Sequence, residues 1–147
     1  MIKVFIQSEG GSYEKHKYNE KTLEYLTTVR LPLAYPYPYG FILDTTAADG
    51  DNLDCYVITD EPLKTGTIVE CRPFGLLEQI EDGEDDHKIL ASLPGMKIDW
   101  DQDLLEELQD FIYGVFSQAS ESSVRVGRIL SEEVALKVIQ QSKIQKT

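Results

Sequence analysis

Apolar and polar residues change their spacing near residue 100. Before that point the apolar residues come in short runs separated by turn residues, a pattern typical of short β-strands. Residues 10–20 are polar and are predicted to form turns, and the prolines in YPYPYG (residues 35–40) favour an extended, non-helical backbone. The predicted strands cover residues 2–6, 26–33, 55–59, 67–72, 74–80 and 88–93.

The later part of the chain is predicted to contain two helices and one strand. Apolar residues between Leu104 and Phe116 recur at helical spacing, which indicates a helix over residues 101–118. A strand is predicted over residues 122–130, with Val124, Val126 and Leu130 facing inward, and a helix capped by Ser131 runs to about residue 145. Short strands followed by packed helices predict an α+β fold, a small β-barrel with helices at its side.

The chain has 147 residues and a mass of 16.7 kDa, which fits one domain over residues 1–147. Its 26 acidic and 14 basic residues give a formal charge of −12. Such a chain is repelled by nucleic-acid phosphates and by anionic membranes, so we expect neither as a partner. No apolar run approaches the ~20 residues that span a bilayer, and the first residues lack a signal-peptide core.

The two cysteines, Cys55 and Cys71, lie inside apolar runs and do not have the spacing of a zinc site. We expect reduced thiols in the core, because nothing in the sequence indicates an oxidising compartment. The predicted location is the cytoplasm.

The most informative segment is DGDNLD, residues 49–54, which carries Asp49, Asp51 and Asp54 just before a predicted strand. Divalent cations such as Mg²⁺ and Ca²⁺ prefer several oxygen ligands, although Asp and Gly are also ordinary turn residues. An EF-hand loop is excluded, because its sixth position would be Asp54 where that loop needs Gly. A simple D-x-D match to glycosyltransferases is weak.

A second acidic run covers residues 78–88 and is predicted to connect two strands. If the two acidic segments face each other, they could form a site for two metal ions about 3.5–4 Å apart. Phosphate esters and anhydrides are the usual substrates of such sites.

Four ordered motifs in residues 1–93 resemble those of the soluble family I inorganic pyrophosphatases. YPYPYG precedes DGDNLD at the separation found in that family, and CRPFG (residues 71–75) and GEDDHKI (residues 83–89) follow in the same order. The resemblance implies a five-stranded OB-like barrel with flanking helices and Mg²⁺-dependent hydrolysis of pyrophosphate to two phosphates. It also implies several Mg²⁺ ions per active site, with Mn²⁺ as an alternative, and a homo-oligomer, either a hexamer or a dimer.

The resemblance also assigns roles to eight residues. Asp51 is the expected general base for a metal-activated water, and Asp82 is a rival to one of the metal ligands if the second loop is aligned one residue differently. The expected phosphate-binding residues are Lys15, Tyr39 and Lys88, and the expected metal ligands are Asp49, Asp54, Glu81 and Asp86.

Some family positions hold other residue types in this chain. The carboxylates expected in the first strand and two residues after Lys15 are replaced by apolar residues and by Lys17. Thr27 stands where an Arg is expected, with Arg30 three residues later, and residues 115–117 lack an expected Tyr-Lys pair. Two alternatives therefore stay open: the same metal site acting on another small phosphate compound, and a metal-binding homologue without catalysis.

Overall fold

The computed structural model describes residues 1–117 and 123–144. These residues form nine strands and two helices in the order β1–β8, α1, β9, α2. The helices are α1 (Gln102–Phe116) and α2 (Glu132–Ser142). The strands are β1 (Ile2–Ser8), β2 (Glu14–Tyr18), β3 (Tyr25–Arg30), β4 (Tyr39–Ile42), β5 (Asp54–Val57), β6 (Ile68–Glu81), β7 (Glu84–Asp85), β8 (Lys88–Ser92) and β9 (Val124–Leu130).

Five of the strands close a ring. β1 pairs with β4, β4 with β5, β5 with β8, β8 with β6, and β6 returns to β1. Only the β5–β8 pair is parallel among the pairings of the described residues. The predicted α+β fold with an OB-like five-stranded barrel is therefore confirmed.

Two further strands extend this barrel, and two others form a hairpin of their own. β9 and β7 pair with the end of β6, and β2 and β3 form a separate two-stranded hairpin. β6 can serve several partners because it is 14 residues long and shifts register between Pro73 and Gly75, which lets the strand bend.

Alternate side chains of the strands enter two hydrophobic cores. Cys55 lies with Val4, Ile42 and Leu76 in the barrel interior, which α2 covers with Ala135 and Ile139. The next residue, Tyr56, lies in a second core formed against α1. This division follows from the two-residue period of a β-strand, and it leaves one side of the second core next to the acidic segments.

Gly40 allows β4 to lie close against β1. It pairs with Ile6, and a Cβ atom added at Gly40 would overlap the carbonyl oxygen of Phe5. This close approach gives the glycine of the YPYPYG motif a structural reason.

The structure corrects two of the strand predictions. Residues 10–20 are not only turns, since they contain β2, whose polar residues hydrogen-bond to β3 without burying an apolar face. Residues 67–72 and 74–80 are one strand, because Pro73 lies at the register shift where a missing N–H is tolerated. The other predicted strands are confirmed with small changes at their ends.

The late elements differ from the prediction in detail. In β9 Val126 and Ile129 are buried, and Val124 and Leu130, predicted to face inward, are partly buried and pack against the second core and the barrel core, respectively. Ile129 was not among the predicted inward residues. A register shift between the Leu77–Ile129 and Gln79–Val126 pairs breaks the simple alternation. Ser131 caps α2 as predicted, accepting a hydrogen bond from the N–H of Val134, but the helix ends earlier, at Ser142.

The predicted ends at residues 118, 122 and 145 lie outside the described residues. In the part of the chain that the structure covers, no helix is long and apolar enough to cross a membrane. Cys55 and Cys71 are buried free thiols, as predicted.

Candidate active site

A cavity of about 330 Å³ lies beside the barrel, between the acidic segments and α1. It brings together all eight residues singled out from the sequence. These are Lys15, Tyr39, Asp49, Asp51, Asp54, Glu81, Asp86 and Lys88. Their roles remain predictions, but residues that are up to 73 positions apart in the sequence share one site.

The pairing of β5, β8 and β6 brings the acidic segments together. Asp54 begins β5 and is the direct neighbour of Lys88, the first residue of β8. The N–H of Asp86 donates to the carbonyl of Gln79 on β6, at 2.9 Å, so the second acidic segment folds back beside the first. The expected convergence of the two acidic segments therefore results from strand order.

The loop before β5 is folded by its own side chains. The Asp49 carboxylate accepts a hydrogen bond from the Asp51 N–H at 2.9 Å. Gly50 between them has a φ of 89°, a conformation that glycine adopts without strain. This turn directs both carboxylates towards the cavity that they line.

Lys88 lies between two of the carboxylates. Its Nζ is 2.6 Å from Asp54 Oδ2 and 3.1 Å from Asp86 Oδ2, and its side chain is only 7% exposed. Burial disfavours the charged amine, but the charges of Asp54 and Asp86 outweigh it and raise the pKa of Lys88 above its ordinary value. Lys88 is therefore a permanent positive charge inside the acidic end.

Lys15 and Tyr39 complete the polar wall. The Nζ atoms of Lys15 and Lys88 lie 5.9 Å and 5.8 Å from the centre of the Tyr39 ring. Burial lowers the pKa of Lys15, and burial together with the charge of Asp54 raises the pKa of Tyr39. The Tyr39 hydroxyl is thus a neutral group, and the Tyr39 ring lies near both amines.

Burial and neighbouring carboxylates raise the pKa values of two of the acids in the cavity. Burial, followed by the charges of Asp49 and Asp54, raises the pKa of Asp51. Burial, followed by a hydrogen bond and the charge of Asp86, raises the pKa of Glu81. In both cases burial is the larger cause of the raised pKa, and the neighbouring carboxylates add to it.

Glu20 also lines the cavity, and sequence reasoning missed it. It lies between β2 and β3, and its carboxylate accepts a hydrogen bond from the Asn52 N–H at 3.0 Å. Burial, then the charges of Asp54 and Asp51, raises the pKa of Glu20 to about 7. Its place in a polar segment far from any motif gave no signal that it would reach the site.

The structure shows which of the alternative residues named from the sequence line the cavity. Glu81 lines the cavity, whereas the exposed Asp82 carboxylate accepts a hydrogen bond from the Ser123 N–H at 2.9 Å. Arg30 lies over the Tyr13 ring, 5.1 Å from its centre, and is not part of the cavity lining. The exposed Lys17 is also outside the lining, so neither basic residue replaces the charges that the family pattern expects.

One wall of the cavity is apolar. Leu31 and four side chains of α1 form it, and Val115 and Phe116 remain partly exposed there. The four α1 residues are Phe111, Ile112, Val115 and Phe116. The cavity therefore has an acidic end and an apolar end.

The donor set fits a divalent cation. Six carboxylates and two amines line the cavity, and Lys88 Nζ already shows that a positive group is held between Asp54 and Asp86. Within residues 1–117 and 123–144, no group of three His, Cys, Asp or Glu side chains, in the positions they occupy, is arranged to hold a metal ion. The carboxylates are thus gathered at one end of the cavity but do not surround a single metal position. Carboxylate oxygens are the ligands that Mg²⁺ prefers.

Comparisons with known proteins agree with this geometry. Residues 4–146 match the family model described as inorganic pyrophosphatase. The inorganic pyrophosphatase of Nanoarchaeum equitans is 32% identical over 152 residues, covering 96% of this chain and 94% of that protein. That of Nostoc sp. is 44% identical over 94 residues, covering 62% of this chain and 55% of its own, so the match spans about half of that relative's length.

Solved structures show the same architecture. The crystal structure of an inorganic pyrophosphatase from Neisseria gonorrhoeae is 29% identical, with a TM-score of 0.86 over 96% of this chain and 88% of that one. The inorganic pyrophosphatase from Thermus thermophilus is 27% identical, with a TM-score of 0.87 over 95% and 87%.

Proposed function

The chain belongs to the inorganic pyrophosphatase family, and from this premise we propose that it hydrolyses inorganic pyrophosphate to two phosphates with the help of Mg²⁺. The observation that carries the proposal is the convergence of carboxylates from four separate segments on one cavity that also holds two amines, the buried Lys88 and the partly buried Lys15. Such an arrangement suits an anionic substrate only if cations lie between the substrate and the acids.

Four carboxylates are the proposed metal ligands, and Mn²⁺ is the proposed alternative to Mg²⁺. The bound cations would neutralise substrate charge and lower the pKa of an attacking water. The proposed ligands are Asp49, Asp54, Glu81 and Asp86, which all line the cavity.

The remaining polar groups bind the substrate and move a proton. Asp51 is the proposed general base, because its carboxylate stands at the acidic end and its raised pKa brings it nearer to neutral pH. Lys15 and Lys88 supply positive charge for the phosphate oxygens, and the Tyr39 hydroxyl donates a hydrogen bond to them, since all three residues line the cavity. The amines also stabilise the charge that develops on the leaving phosphate.

The test is release of phosphate from pyrophosphate with Mg²⁺ and then with Mn²⁺. We expect turnover by the wild-type protein, a loss of at least about 100-fold in Asp51→Asn, and no change in Asp110→Asn. Asp110 is an exposed acid of α1 outside the cavity, so it controls for the loss of one charge. Binding of the metal without any phosphate release would support the alternative of an inactive homologue.

We also propose that the protein forms a homo-oligomer, a hexamer or a dimer, in the cytoplasm. Large apolar side chains remain exposed on the single chain, among them Met96 (44%) and Trp100 (40%). The buried, unbridged Cys55 and Cys71 suit a reducing compartment. Light scattering after size exclusion tests the assembly, and a single 16.7 kDa species at micromolar concentration would contradict it.

A further inference from the structure

The apolar side chains at one end of the cavity have no evident role in the hydrolysis of pyrophosphate itself. Pyrophosphate is charged at both ends, and each phosphate group needs cations or hydrogen-bond donors. The apolar wall formed by Leu31, Phe111, Ile112, Val115 and Phe116 offers neither. Val115 and Phe116 are partly exposed there, so they present carbon surface to whatever occupies the cavity.

The positive charge in the cavity is also limited. Among the described residues, Lys15 and Lys88 are the only basic side chains in the lining, and Lys88 already bonds to Asp54 and Asp86. A substrate with less charge and some carbon at one end matches such a cavity better than a fully charged anhydride.

We propose that this site binds diphosphate monoesters whose short organic group is apolar and packs against Leu31, Val115 and Phe116. The inference rests on the proposed function, because it places the diphosphate at the acidic end and the same reaction there. The cavity volume of about 330 Å³ is near the lower end of small-ligand sites, roughly 300–1,000 Å³, so the organic group is short.

The proposed reaction uses water as its only co-reactant. The water oxygen bonds to the terminal phosphorus, while the bond from that phosphorus to the bridging oxygen breaks and its electron pair stays on the bridging oxygen. Asp51 takes one proton of the water. The products are inorganic phosphate and the organic monophosphate.

The first experiment measures binding without turnover. Calorimetry with Mg²⁺ compares methylenediphosphonate with its isopentyl monoester, neither of which can be hydrolysed at the bridge. We expect the ester to bind about tenfold more tightly, a factor that the burial of two methylene groups supplies. Equal or weaker binding of the ester would overturn the proposal.

The second experiment places a charge on the apolar wall. Val115→Lys and, separately, Phe116→Lys should lower the ratio of kcat/KM for isopentyl diphosphate over pyrophosphate by about tenfold. The matched control is Gln109→Lys, which adds the same charge to α1 outside the cavity lining and should leave that ratio unchanged. Two positions are used so that a folding defect in one variant does not decide the result.

The outcomes separate this inference from the proposed function. Turnover of pyrophosphate with no preference for the ester in binding or turnover would leave the proposed function standing and overturn the apolar subsite. If the ester analogue binds more tightly and both lysine variants lose this preference, the subsite is supported. If the same protein releases no phosphate, the proposed hydrolysis is contradicted.

Discussion

The ammonium group of Lys21 lies 2.6 Å from the amide oxygen of Asn52. The same ammonium donates to the carbonyl of Thr45 at 2.9 Å and to the hydroxyl of Thr46 at 3.0 Å. Lys21 belongs to the turn between β2 and β3, whereas Asn52 lies inside the acidic loop. The β2–β3 hairpin is therefore fastened to the loop that carries the proposed general base.

Removing this connection should loosen the acidic loop. We expect Lys21→Met to lower the free energy of unfolding by about 1 kcal/mol, the usual net value of a partly exposed hydrogen-bond group. It should also raise the Mg²⁺ concentration needed for half-maximal phosphate release. Denaturant titration and a metal titration of activity measure the two effects.

Two variants control this experiment. Lys64→Met removes an exposed lysine of another loop and should change neither quantity. Lys21→Arg keeps the charge and the donors, so it should recover most of the metal response. Equal metal titrations for Lys21→Met and the wild type would show that the contact does not order the acidic loop.

A methyl group at Gly40 should be far more harmful than its size suggests. The added carbon would overlap the Phe5 carbonyl, which is fixed by the β1–β4 pairing, so Gly40→Ala should cost about 3 kcal/mol or more. Gly127→Ala is the matched control in β9, because its nearest neighbour is the flexible Glu78 side chain. Equal stability of the two variants in urea would contradict this account of the motif.

Sequence patterns predicted those features that depend on residues close together in the chain. Four of the five barrel strands have short apolar runs, and Asp49, Asp51 and Asp54 stand within six residues, so both features could be identified without coordinates. The fifth barrel strand, β4, was not predicted as a strand. Glu20 could not, because its place depends on a hydrogen bond to Asn52, which is 32 positions away. β2 was missed for a related reason, since its stability comes from pairing with β3 and not from an apolar face.

The apolar wall shows a second limit of sequence reasoning. The stripe on α1 predicted a buried helix face, and Leu108 and Ile112 are indeed buried. The same periodicity could not show that Val115 and Phe116, at the end of that stripe, face a cavity. Whether an apolar position meets the core or a ligand depends on tertiary packing, which periodicity does not contain.

The buried thiols should make the folded protein less stable at alkaline pH. Burial raises the pKa of Cys71 to about 12 and that of Cys55 well above its ordinary value, whereas an unfolded thiol titrates near pH ~8.5. Because the folded pKa is the higher one, this contribution to stability is complete below pH ~8.5 and is lost as the pH rises towards about 12.

The test is the slope of unfolding free energy against pH. Between pH ~9 and ~11 we expect the double variant Cys55→Ala/Cys71→Ala to lose less stability per pH unit, by about 1.4 kcal/mol for each thiol removed. The cavities left by the substitutions lower stability equally at every pH and do not affect the slope. Identical slopes would mean that the thiols ionise as readily in the folded protein.

Lys88 should contribute more to stability in the absence of divalent cations than in their presence. It is the positive partner of Asp54 and Asp86 in a largely buried site, so Lys88→Met leaves two carboxylates without their amine. Breaking such a buried pair costs about 3 kcal/mol or more. We expect that loss in EDTA, and we expect Mg²⁺ to restore part of it, because the released carboxylates are the proposed metal ligands.

Denaturant unfolding with and without Mg²⁺ measures this coupling. The gain in stability that Mg²⁺ gives should be larger for Lys88→Met than for the wild type, since binding to the folded state alone adds directly to its stability. Lys137→Met, which removes an exposed lysine of α2, should show the wild-type gain. If Mg²⁺ stabilised all three proteins equally, Asp54 and Asp86 would not be among the carboxylates that hold the metal.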